Sequence, residues 1–173
     1  MLFKRKKETP VEPSFPIPDP LPDEYQMYFK VVGTQYPNDD GTHRQDVLLS
    51  VAEDIKSRVD SALLYHKLTD EQIKDTGVTV DEIDRLRYYM SIKPTSYNGE
   101  NAYLVSCKYG DIGFMPKNCI EEYEAIAPLY KKVKVNVTLG GGKAKFYNKD
   151  KKKICFEHRD YEAKARVYFS EPL

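Results

Sequence analysis

The chain has no tryptophan, no long apolar run, and only three cysteines, with no CxxC pair among them. Each absence excludes something. A membrane helix needs roughly 20 consecutive apolar residues, and nothing here approaches that, so no membrane partner is expected. The start, MLFKRKKETP, is charged but lacks the apolar segment behind it that directs secretion. Cys107, Cys119 and Cys155 are odd in number and far apart, which points to reduced thiols in a cytoplasm and to structural rather than reactive cysteines. Net charge is missing too: 27 basic side chains balance 27 acidic ones, so global charge favours neither nucleic acid nor membrane. The balance is not uniform along the chain. Residues 23–92 carry eight basic and fourteen acidic side chains, and residues 93–173 carry fifteen and ten.

Catalytic signatures are also absent. His43, His66 and His158 are scattered, with no HExxH spacing, and there is no GxSxG. Gly140 to Gly142 precede Lys143 as in a phosphate loop, but Ala144 stands where GxxxxGK[ST] needs a hydroxyl. No metal and no cofactor is expected, and the chain reads as non-catalytic. A hydrolase whose Cys–His pair is assembled only by folding stays open as an alternative.

Proline organises what is present. Pro10, Pro13, Pro16, Pro18, Pro20 and Pro22 each fix φ and remove a donor, so residues 1–24 are expected to be an extended, disordered tail. It serves either as a leader that solvates Lys4 to Lys7 or as a polyproline ligand for an aromatic groove. Residues 25–173 then make one domain.

Gln26 to Gln35 predicts a first strand, partly buried on both faces, ending near Gly33. Asn38 to Gly41 signals a turn, because these residues tolerate positive φ or bond their own backbone. Val47, Leu48, Val51, Ala52, Ile55, Val59 and Leu63 recur at three- and four-residue spacing, which predicts a helix from about Asp46. Two capping signatures, Thr69 with Gln72 and Thr79 with Glu82, predict two short helices, so residues 47–87 read as largely helical. Strands are expected at Leu86 to Ile92, Ala102 to Lys108 and Asp111 to Met115, with a turn-rich loop from Pro94 to Asn101. Pro116 opens a helix. The alternation of Val133, Val135, Val137 and Leu139 with polar neighbours marks a half-buried strand, and Ile154 to Glu157 and Ala163 to Phe169 add two more. The expected class is α+β: a small OB-like or SH3-like curved β-barrel with packed helices.

Between Tyr28 and Gln45 an apolar strand leads through Gly33 and Tyr36 to a polar turn and then Arg44 and Gln45. An aromatic ring and a guanidinium on one loop suit a planar, phosphorylated ligand. The elements FKVVGTQY, GTHRQ, KPTSYNGENAYLV and IGFMPK, in that order, resemble the HIRAN domain, a small barrel module found at the start of certain DNA-remodelling helicases and as separate bacterial proteins. The likeness covers about Tyr28–Asp46 and Tyr88–Leu139, which makes residues 47–87 a helical insertion and leaves the proline tail outside it. The family pattern in the third element has Tyr-Asp where Asn98 and Gly99 stand here, while Asn101 and Ala102 match.

The resemblance implies a nucleic-acid-binding module linked to DNA repair or processing, with single-stranded DNA or its 3′ end foremost among partners. It implies that Tyr36 stacks on a base, that Lys117 meets a terminal phosphate, and that Gln35 keeps a hydrogen bond where other members have Arg. Asn98 or Glu100 would stand in for the absent Asp as acceptor for a 3′-hydroxyl. Arg44 and Gln45 contact phosphate or base, or else Arg44 bridges within the barrel and Gln45 closes the helix start. Asn101 adds a polar contact to the nucleic acid or else forms a turn; Tyr36 has a competing role as a rim aromatic over the core, and Phe114 as a core residue. His43 contacts phosphate or simply sits in an exposed turn. Nine lysines from Lys131 to Lys153, Lys143 and Lys145 among them, form either a single-strand groove with Phe146 and Tyr147 or a solvated hairpin that protects an edge. A protein-interaction adaptor using the barrel face or the proline tail is the alternative function.

Overall fold

A computed structural model describes residues 15–173. The chain runs β1 (Glu24–Lys30), α1 (Arg44–Arg58), a 3-10 segment (Ser61–Lys67), α2 (Asp70–Thr76), β2 (Val80–Asp81), β3 (Arg87–Tyr97), β4 (Glu100–Cys107), β5 (Gly110–Phe114), α3 (Lys117–Ile126), a short 3-10 turn, β6 (Tyr130–Asn148) and β7 (Lys153–Pro172). The strands form one antiparallel sheet in the order β1-β7-β6-β3-β4-β5, with β2 paired to β6. The sheet curls until its edges meet. An isolated antiparallel bridge joins Val32, just after β1, to Phe114 at the end of β5, through hydrogen bonds of 2.9 and 2.8 Å. The architecture is therefore mixed α and β with a curled antiparallel sheet compatible with a small barrel.

Alternation decides what the sheet buries. Met27, Phe29 and Val31 face inward, with Val135, Val137 and Leu139 of β6 and Ala163, Ala165, Val167 and Phe169 of β7. Val47, Leu48, Val51, Ala52 and Ile55 of α1 and Ile126 of α3 close this core. Phe169 is fully buried among the rings of Tyr25, Tyr123 and Tyr130, with centroids 5.9–6.1 Å away. β1 does not bury both faces as its sequence suggested: Tyr28 points outward, because no element covers that side of the sheet.

The long hairpin is the main departure from the sequence reading. The two expected C-terminal strands are one 20-residue strand, and β6 runs 19 residues, far past Leu139. Both pass through a bulge between Gly140 and Gly142. Gly141 and Gly142 have φ of 77° and 67°, and a Cβ on Gly141 would lie 2.0 Å from the Asp160 carbonyl oxygen, so only glycine fits the bend. The would-be phosphate loop is thus a strand bulge, fixed by the Gly141 N–H donating to Asp81 at 2.8 Å.

Thr69 and Gln72 form the expected capping box of α2, which ends at Gly77. Thr79 caps nothing. Val80 is buried and pairs with β6, and the Glu82 carboxylate turns to Lys56 and the Tyr65 hydroxyl instead of back to Thr79. The expected loop Pro94 to Asn101 is two residues long, Asn98 and Gly99, both at positive φ, which suits the twist of the flanking strands. Pro94 fits inside β3 because pairing with β6 ends at Met90. On its other side it faces Tyr103, whose carbonyl accepts from Met115, so no ladder bond is lost there.

Of the proline segment, Lys4 to Lys7, Pro10 and Pro13 lie outside the described residues. From Phe15 the chain follows the surface without helix or strand up to β1; Phe15 and Leu21 pack on the core, and the Tyr130 hydroxyl donates to the Pro22 carbonyl at 2.8 Å.

Candidate nucleic-acid interface

Gly33 is where the loop after β1 gathers its partners. A Cβ built there would meet Arg44 Nη1 at 3.0 Å, the Phe114 ring at 3.7 Å and the Tyr36 ring at 3.8 Å. The Val32–Phe114 bridge brings the Phe114 ring under this loop, and Tyr97 at the end of β3 packs on it with a centroid distance of 5.8 Å. Tyr36 and Tyr97 are 67% and 58% exposed, so two ring faces meet solvent around a half-buried Phe114.

Arg44 lies behind those rings rather than among the exposed groups. Its guanidinium sits 4.8 Å from the Phe114 centroid. It donates through Nε to Asn38 Oδ1 at 2.7 Å and through Nη1 to the Gly33 carbonyl at 2.8 Å. It is 7% exposed, and burial pushes its pKa down against the opposing pull of Asp111 and Asp39. Gln45 is equally committed. Its amide donates to the Thr34 and Tyr161 carbonyls at 3.1 and 3.0 Å and accepts from the Tyr161 N–H at 2.7 Å, stitching loop, helix and β7 together. Arg44 thus bridges within the barrel, one of its two expected roles, while Gln45 joins the loop to β7 rather than closing the helix start. The helix starts at Arg44, two residues before Asp46, because the exposed His43 caps it by accepting from the Gln45 N–H.

The other expected residues divide into groups. Gln35 is exposed next to Tyr36. Asn98 sits at the hairpin tip with φ 51°. Lys117 opens α3 and pairs with Glu100, the cross-strand partner of Tyr97, so this ion pair borders the exposed rings. Lys117 holds the Glu100 carboxyl below the usual carboxylate range. Asn101 belongs to β4, not to a turn, and its amide donates to Glu124 at 3.0 Å.

The nine lysines do not form one surface. Lys131 to Lys134 and Lys143 onward lie at opposite ends of β6, and Lys132 pairs with Glu171. Lys143 stacks over Phe156 at 4.8 Å, and Lys145 lies 4.4 Å over Tyr65 while pairing with Asp70 at 3.0 Å. These two pack rings as much as they offer charge.

Cys107, Cys119 and Cys155 are half-buried and unpaired, and burial pushes the first two thiols up. No group of three or more His, Cys, Asp or Glu side chains is set to hold a metal among the described residues. No helix there is long and apolar enough to cross a membrane.

One cluster escaped the sequence reading. The outward residues of four adjacent strands place Tyr28, Arg166, Asn136 and Tyr89 in one row and Lys30, Lys164, Thr138 and Arg87 in the next. The alternation of β1 and β6 could have shown the wet side, but the neighbours across it come from positions up to 138 residues apart. No protein-family model, no curated protein and no solved structure matches the chain.

Proposed function

We propose that the chain is a HIRAN-like, non-catalytic module that binds single-stranded nucleic acid, with single-stranded DNA foremost, through the Gly33 loop. The observation that carries this reading is the convergence of Tyr36, Phe114 and Tyr97 beside the Lys117–Glu100 pair. Exposed rings over a rigid base give bases a stacking surface. Arg44 and Gln45 support it from behind by fixing the loop. Lys117 supplies positive charge for a terminal phosphate, and Glu100 supplies the carboxylate acceptor for a free 3′-hydroxyl that the residues at positions 98 and 99 do not.

Fluorescence anisotropy with labelled single strands ending in 3′-hydroxyl or 3′-phosphate, and with duplex ends, tests this. Loss of one stacking ring, at about 1–3 kcal/mol, predicts that Tyr36→Ala weakens binding roughly 5- to 150-fold. Glu100→Gln is expected to abolish any preference for the free 3′-hydroxyl. No binding to any of these strands at low salt removes the nucleic-acid reading and leaves the protein-interaction adaptor.

A further inference from the structure

We propose that the uncovered outer face of β1, β7, β6 and β3 is a second ligand site, shaped for a nucleotide unit held by its phosphate and by stacking of its base. It shares no residue with the Gly33 loop and stands independently of the reading given to that loop.

Charge is the first argument. Arg58 holds Asp54 and Arg159 holds Asp81 and Glu157, but Arg87, Arg166 and Lys164 hold no carboxylate among the described residues. All three line a depression of about 560 Å³ on this face, within the range of small-ligand sites. Among the described residues that line it the acid is Asp84, 3.7 Å from Arg85, and farther along the same face Glu162 pairs with Lys30.

Orientation is the second. Arg166 is fixed rather than trailing in solvent: its guanidinium lies 4.5 Å over Tyr28 and 5.5 Å over Tyr168 and donates to the Tyr168 hydroxyl at 2.8 Å. A planar fork fixed in this way meets phosphate oxygens with little further ordering cost. The hydrogen bond from Arg166 foremost, with the charges of Arg166 and Arg87 and a hydrogen bond from Asn136, pulls the Tyr168 phenol below its usual pKa.

The third is a ring beside the cations. Asn136 lies between Arg166 and Tyr89 in the same row, its side chain hydrogen-bonded to Tyr168 and its Oδ1 closed off from the surface, so it fixes the row rather than meeting a ligand. A nucleotide suits this row, since its phosphate meets the cations while its base reaches the ring at the end. Tyr89, 75% exposed at the end of the row, offers a ring face to the base.

The test is an amide chemical-shift titration of the full chain with 5′-AMP, with a 3′-phosphorylated (dA)8 strand, and with inorganic phosphate. The expected result is saturable shifts at Tyr28, Asn136 and Arg166 with either nucleotide probe, and at least a tenfold loss of affinity in the Arg87→Gln/Arg166→Gln variant. A strand that binds more tightly than 5′-AMP at those residues identifies the source as nucleic acid; equal or weaker binding identifies a free nucleotide. Absence of shifts there with both nucleotide probes overturns the proposal, as does inorganic phosphate binding as tightly as 5′-AMP. Should the double variant not fold, Arg166→Lys keeps the charge and breaks the fork, and the same loss is required of it. Repeating the titration on Tyr36→Ala separates the two sites, because shifts on the outer face that persist there owe nothing to the loop.

Discussion

Arg44 and Arg166 both stack on aromatic rings, yet one guanidinium is turned into the protein and the other out of it. Arg44 lies behind Phe114, its donors taken by Asn38 and the Gly33 carbonyl, with Tyr36 and Tyr97 presented in front. Arg166 lies on the open side of the sheet with two tyrosines and no carboxylate. In the first region the cation builds the surface, and in the second it is the surface. A guanidinium beside an aromatic ring therefore does not identify a ligand site by itself; what counts is whether its donors are already engaged.

The strongest way to break the contrast is to remove the support of the loop. Gly113 has φ 148°, and a Cβ there would lie 2.4 Å from the Val32 carbonyl oxygen, at the bridge that holds Phe114 in place. Strain and overpacking together predict that Gly113→Ala costs about 2–6 kcal/mol of stability. Chemical denaturation would measure this, and strand binding should fall with it while the outer face still takes up 5′-AMP. Exchanging the arginines themselves has a smaller, opposed effect. Arg44→Gln removes two hydrogen bonds from a charged donor and should cost about 3 kcal/mol or more, whereas Arg166→Gln should stay within about 1 kcal/mol of the parent. Equal losses in the two variants would dissolve the distinction.

The smallest expected effect lies beside Arg87, where Asp54 accepts from the Tyr88 hydroxyl at 2.5 Å, from Lys108 at 3.0 Å and from Arg58 at 2.6 and 2.8 Å. Tyr88 foremost, then Lys108 and Arg58, hold this carboxyl far below the usual carboxylate range, and the Tyr88 phenol is pushed up to about 12 by burial and by Asp54. A carboxyl whose pKa is depressed by folding stabilises fully above its unfolded value, near 4, and loses that contribution as pH falls toward the folded one. The melting temperature should therefore drop between about pH 4 and pH 2, less steeply in Asp54→Asn. A parallel drop in parent and variant would show that Asp54 is not the group responsible.

Local chemistry was legible in the sequence. Period two in β6 and β7, the apolar face of α1 and the Thr69–Gln72 box all follow from neighbours a few residues apart. What was not legible depends on distant partners. Thr79 failed as a cap because Lys143 supplies a carbonyl to the Glu82 N–H, and β7 reads as two strands because the polar stretch from His158 to Asp160, opposite the bulge in β6, interrupts its alternation. Gln45 carried no mark of its bonds to Tyr161, 116 residues away. The Tyr28–Arg166–Asn136–Tyr89 row could not be read at all, since each member looked like an ordinary wet-face residue on its own strand.

The pairing of β1 with β7, Tyr25 against Phe169, also sets an order of events. On a growing chain the β3–β4–β5 meander can close as soon as it is made, for its partners are near neighbours. β1, made earlier than any other strand described, has its ladder partner in the last one. Met27 and Phe29 thus stay uncovered by that partner until β7 is made, and their capture is a long-range closure of the slow kind.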